Sequence, residues 1–73
     1  MNDKTKGAEM IEKLFTKSEQ RLIDFYLEST NGILTINGDD IKIDTPDFTE
    51  IFHSVGGTMA FIEENVREIK KAI

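Results

Sequence analysis

Met59, Ile62, Val66, Ile69 and Ile73 recur at spacings of three, four, three and four residues, which lays one apolar seam along a helix from Thr58 to Ile73. The chain has 73 residues, so whatever this seam packs against largely decides how the molecule holds together. A core of this size supplies only about 3–5 kcal/mol unaided, and small domains usually add a staple. Disulfides and thiolate metal sites are absent because there is no Cys, and the lone His53 cannot build a histidine cluster. Oligomerisation is the staple that remains.

Charge is distributed unevenly. Residues 1–21 carry five Lys or Arg against four acids, residues 22–64 carry Lys42 alone against nine acids, and residues 65–73 carry three bases against Glu68. The middle segment therefore holds most of the negative charge in a chain whose net charge is -5. Such a surface repels phosphate backbones and attracts basic partners. No apolar run approaches the length of a membrane span, and no signal-type apolar block follows Met1–Lys6. The expected setting is cytoplasmic, with residues 1–6 a flexible tail and 7–73 one small domain.

From Lys6 to Phe15 the residues Met10, Ile11, Leu14 and Phe15 give a weak helical pattern. Thr16-Lys17-Ser18-Glu19 then fits a capping box, in which the Thr16 hydroxyl accepts from the Glu19 amide and the Glu19 carboxylate accepts from the Thr16 amide. A second helix is expected from Lys17 to about Ser29, with Asn31-Gly32 as its left-handed stop. The competing reading is one kinked helix from Lys6 to Ser29.

From Ile33 the period changes to alternation. Leu34 and Ile36 point one way and Thr35 the other; after Asn37-Gly38-Asp39-Asp40 the pattern resumes with Ile41, Lys42 and Ile43. A two-residue Asn37-Gly38 turn would set Ile36 opposite Asp39, whereas a four-residue loop sets Ile36 opposite Ile41 and Leu34 opposite Ile43 and keeps all four apolar side chains on one face, so the four-residue loop is expected. Because a two-stranded ribbon is marginal in water, that face is expected to lie on helices.

Thr45-Pro46 suits the start of another helix, with Thr45 as N-cap and Pro46 in the first turn. Phe48, Ile51, Phe52 and Val55 would be its buried stripe, Gly56-Gly57 its stop, and Thr58 the cap of the terminal helix. The expected fold class is α+β, mostly helical: two N-terminal helices or one kinked helix, a β-hairpin, then two helices, the last amphipathic.

Candidate chemistry is sparse. Asp39, Asp40, Asp44, Asp47 and Glu50 crowd into a dozen residues, and Ile43–Phe48 resembles the end of an EF-hand loop with the start of its exit helix. That register, however, puts Ile36, Gly38 and Ile41 where two ligands and the turn glycine belong. No metal site and no cofactor are expected. His53 has no Ser or Cys partner in a recognisable motif, and Asn37-Gly38 and Gly56-Gly57 lack the spacing and Lys of a phosphate loop. No catalytic residue is expected, and the chain reads as something other than an enzyme.

Two functional classes follow. In the first, the chain is a small acidic adaptor or inhibitor that meets a basic protein surface through Asp39, Asp40, Asp44, Asp47 and Glu50. It forms a homodimer or partner interface through Met59, Phe61, Ile62, Asn65, Val66, Ile69 and Ile73. Glu63 and Lys70 both fall at an e position of the seam, which suits an antiparallel pairing of two copies. In the second, the helices and hairpin form a winged-helix-like DNA-binding regulator, with Phe52–Ile69 as a helix-turn-helix. Phe15–Asp24 is similar to the first helices of some bacterial winged-helix regulators, a likeness of helix-start chemistry alone. Against this stand Glu63 and Glu64 near the start of the would-be recognition helix, and Asp39 and Asp40 at the would-be wing tip.

Overall fold

The computed structural model describes residues 13–72. The expected flexible tail, Ile73 and all of the first expected helix before Lys13 lie outside that range. Within it the order is α1 (Lys17–Thr30), β1 (Ile33–Asn37), β2 (Asp40–Asp44), β3 (Thr49–Phe52) and α2 (Val55–Ala72). The strands form one antiparallel sheet in the order β1-β2-β3.

Helix α1 begins as its sequence dictates. Thr16 is extended (φ -69°, ψ 167°) and closes the capping box: the Glu19 amide donates to its Oγ1 at 3.2 Å, and its own amide donates to Glu19 Oε1 at 2.9 Å. This cap interrupts the helical backbone at Phe15 and Thr16, between Leu14 and Lys17, so one continuous kinked helix is ruled out. Asn31, at φ 55° and ψ 39°, is the left-handed stop. Gly32 is needed for a different reason: a Cβ there would lie 2.9 Å from Thr30 Oγ1 and 3.2 Å from the Asp44 carbonyl oxygen.

The hairpin has the expected register, with Leu34 opposite Ile43 and Ile36 opposite Ile41. Its turn is tighter than a four-residue loop, because Asn37 pairs with Asp40 and only Gly38 and Asp39 bridge them. Gly38 takes φ 64° at the first central position while Asp39 stays at negative φ, the pattern of a type II′ turn.

The helix expected from Thr45-Pro46 does not form. The Thr45 hydroxyl accepts from the amides of Asp47 (3.2 Å) and Phe48 (3.1 Å), and the Thr45 amide donates to the Phe48 carbonyl at 2.8 Å. These bonds close a turn around Pro46-Asp47 and reverse the chain into β3, which pairs with β2 as Ile41–Phe52, Lys42–Ile51, Ile43–Glu50 and Asp44–Thr49. Thr, Ile and Phe favour a pleated surface, and an open β2 edge gives them hydrogen bonds that an isolated short helix lacks. The terminal helix also starts earlier than expected. Ser54 is its cap, its Oγ accepting from the Gly57 amide at 3.0 Å, so Gly56 and Gly57 sit in the first turn rather than ending a preceding helix. Thr58 is fully buried, and its hydroxyl donates to the Ser54 carbonyl at 2.8 Å.

Both helices lie on one face of the sheet. The core joins Phe15, Ile23 and Tyr26 to Ile41 and Ile43 of β2 and to Met59, Ile62 and Val66 of α2. Phe61 is the hub of an aromatic group, edge-on to Tyr26 (5.8 Å) and Phe48 (6.1 Å) and tilted against Phe52 (5.1 Å).

Candidate functional site

The alternation of the strands leaves the other face of the sheet to polar and β-branched side chains. Its rows follow from the register: Ile33, Asp44 and Thr49; Thr35, Lys42 and Ile51; then Asn37 and Asp40, with His53 beside them. Ile33 and Ile51, 65% and 53% exposed, are the two most exposed large apolar residues described. Neither described helix covers this face, which therefore presents the apolar area of Ile33 and Ile51 beside the charges of Asp40, Lys42 and Asp44.

Short contacts order the charged groups of the face. His53 Nδ1 lies 2.7 Å from Asp40 Oδ1, and Lys42 Nζ lies 3.4 Å from Asp44 Oδ2. The Thr49 hydroxyl donates to Asp44 Oδ1. That hydrogen bond, aided by Lys42, holds the Asp44 carboxyl below its ordinary pKa despite some opposing desolvation. Exposed pairs of this kind add little stability, but they fix where the carboxylates point.

The five acids expected to form one contact surface are dispersed. Asp40 and Asp44 share the open face of β2, Asp39 is in the hairpin turn at one end, Asp47 is in the β2–β3 turn at the other, and Glu50 faces the helix side opposite Ile43. The expected interface on the terminal helix is largely occupied within the chain. Met59, Ile62 and Val66 are buried in its own core, while Ile69 and Phe61 are half-buried against it. Asn65 is half-buried with its side-chain amide donating to the Phe61 carbonyl at 2.8 Å, and Ile73 lies outside the described residues. Sequence reasoning missed Ile33, Thr35, Thr49 and Ile51 as a shared surface. The hairpin register held the signal for Ile33 and Thr35, but reading β3 as a helix hid the rest.

Burial raises the Tyr26 hydroxyl above its ordinary pKa, with the Glu50 carboxylate adding to the shift. Among the described residues this hydroxyl has no hydrogen-bond partner. A shallow cleft of about 300 Å³ lies between the hairpin turn and the start of α2, lined by Leu14, Gly38, Asp39, Ile41, His53, Ser54 and Val55. Asp40 orients His53 there as a carboxylate orients a general base. The neighbouring Ser54 hydroxyl, however, is engaged in capping α2. Among the described residues no three His, Asp or Glu side chains converge as a metal site. No helix among them is long and apolar enough to cross a membrane. The segment Phe52–Ile69 is a strand end followed by a helix, not two helices around a turn.

No family model, curated protein or solved structure matches this chain.

Proposed function

We propose that this chain is a small acidic protein-interaction module, an adaptor or inhibitor without catalysis, that binds a basic protein surface through the open face of its sheet in the cytoplasm. The observation that carries the reading is the pairing of exposed Ile33 and Ile51 with oriented Asp40 and Asp44 on a face that neither described helix covers. Apolar area supplies affinity; the carboxylates supply orientation and steer encounter with positive charge. Residues 31–54 hold Asp39, Asp40, Asp44, Asp47 and Glu50 against Lys42, so the sheet and its turns repel nucleic-acid phosphates.

The test is a pull-down with the native chain and with a double variant, Asp40→Lys with Asp44→Lys, whose fold is checked by circular dichroism. The native chain is expected to retain a partner whose binding weakens with added salt, and the folded variant to lose it. If the variant keeps every partner, the reading fails. A mobility shift with mixed DNA fragments that survives physiological salt would replace it with nucleic-acid binding.

A further inference from the structure

The outer edge of β1 carries none of the usual protection in its own sequence. Sheet edges are normally blunted by charge, Pro, a bulge or a covering element, yet Ser29–Gly38 contains no Lys, Arg, Asp, Glu or Pro in a chain that is 32% charged. The opposite edge differs, since β3 carries Glu50 and follows Pro46 and Asp47. Among the described residues no strand pairs with the outer edge of β1.

The backbone there is set for pairing. In a two-residue hairpin the flanking residues, here Asn37 and Asp40, exchange both hydrogen bonds, and the alternation along an antiparallel ladder then turns the N–H and C=O of Leu34 and Ile36 outward. Their side chains are also incompletely covered. Ile41 and Ile43, directly opposite, are 2% and 0% exposed, whereas Leu34 and Ile36 are half-buried. One neighbour beside β1 would satisfy the polar groups and complete the apolar layer.

We propose that this neighbour is a second copy of the chain, its β1 antiparallel to the first about a twofold axis at Thr35. Leu34 of each copy then exchanges two hydrogen bonds with Ile36 of the other, and the two Thr35 side chains meet at the axis. The joined sheet has six strands with all helices on one side. The edge is complementary to itself: the outward groups of Leu34 and Ile36 lie symmetrically about Thr35, and the strand carries no carboxylate, so two molecules of net charge -5 meet here with no like charges opposed across the seam. The pairing is small, so the dimer is expected to be a reversible one. It leaves the open face clear and does not depend on what that face binds.

Sedimentation of the full chain across roughly a hundredfold concentration range is expected to show a monomer–dimer equilibrium. Thr35→Asp and Thr35→Lys alter an exposed side chain and should each weaken dimerisation by about tenfold or more, because like charges then stand opposite. Mixing the two variants should restore a heterodimer. Amide exchange at Leu34 and Ile36 should slow as concentration rises. A monomer at every concentration, or a dimer indifferent to both substitutions, would overturn the proposal. So would a monomer whose Leu34 and Ile36 amides are protected, since another strand would then hold the edge.

Discussion

Ile43 and Leu34 stand directly opposite one another on β2 and β1, yet Ile43 is fully buried while Leu34 is only half-buried. The helix layer therefore centres on β2, with coverage falling off towards β1. Ile43→Ala is expected to cost about 3 kcal/mol, because the removed methyl groups leave a cavity beneath both helices. Leu34→Ala should cost about 1 kcal/mol, its site already being partly open to water. Urea unfolding of the two variants checks the difference, and equal costs would mean that the core is centred elsewhere.

Tyr26 presents the opposite situation, a buried polar group that no described residue satisfies. With its hydroxyl unpaired among the described residues, Tyr26→Phe is expected to raise stability by about 1 kcal/mol at neutral pH. Burial, with Glu50, raises its pKa in the folded state. The contribution of its neutral form is then complete below the unfolded pKa and is lost as pH rises through the folded one. Removing the hydroxyl should therefore also reduce the loss of stability in alkali, measured as thermal midpoint against pH.

Asp44 shifts the other way. Its folded pKa is depressed, chiefly by the hydrogen bond from Thr49 and secondarily by Lys42. The linked stabilisation is present above the unfolded pKa and is lost as pH falls through the folded value. Thr49→Val keeps the shape but deletes the donor. Carboxyl NMR titration should show the Asp44 pKa moving up towards its ordinary value, and an unchanged titration would place the cause elsewhere.

The first turn of α2 contrasts two adjacent glycines. A Cβ on Gly56 meets nothing within 4 Å, whereas one on Gly57 lies 3.1 Å from the Ser54 Oγ that caps the helix. Gly56→Ala is expected to stabilise by about 0.5–1 kcal/mol, because the unfolded chain loses freedom at no native cost. Gly57→Ala should gain less or destabilise, and Ser54→Ala should cost about 1 kcal/mol. Thermal unfolding of the three variants ranks them.

What was legible in the sequence were the signals with a single local solution. Thr16 and Glu19 admit one cap, Asn31 one stop, and the alternation through Leu34, Ile36, Ile41 and Ile43 one register that buries all four. Thr45-Pro46 was ambiguous because a Thr hydroxyl that accepts two following amides, with Pro next, serves a helix start and a strand-reversing turn equally. Phe48, Ile51, Phe52 and Val55 fit a helical stripe, but the same segment also fits a strand. The deciding factor was the vacant edge of β2, a tertiary fact. Losing β3 from the reading also hid the open face, because Ile51 and Thr49 join Ile33 and Thr35 only across the sheet.

Amide NMR mapping against a basic protein that co-purifies with the chain decides whether it binds through the sheet face opposite the described helices. Perturbations are expected to concentrate at Ile33, Thr35, Lys42, Asp44 and Ile51 and to diminish as salt is added. Perturbations confined to the exposed sides of α1 and α2, with the sheet unaffected, would place the contact on the helices and not on the sheet.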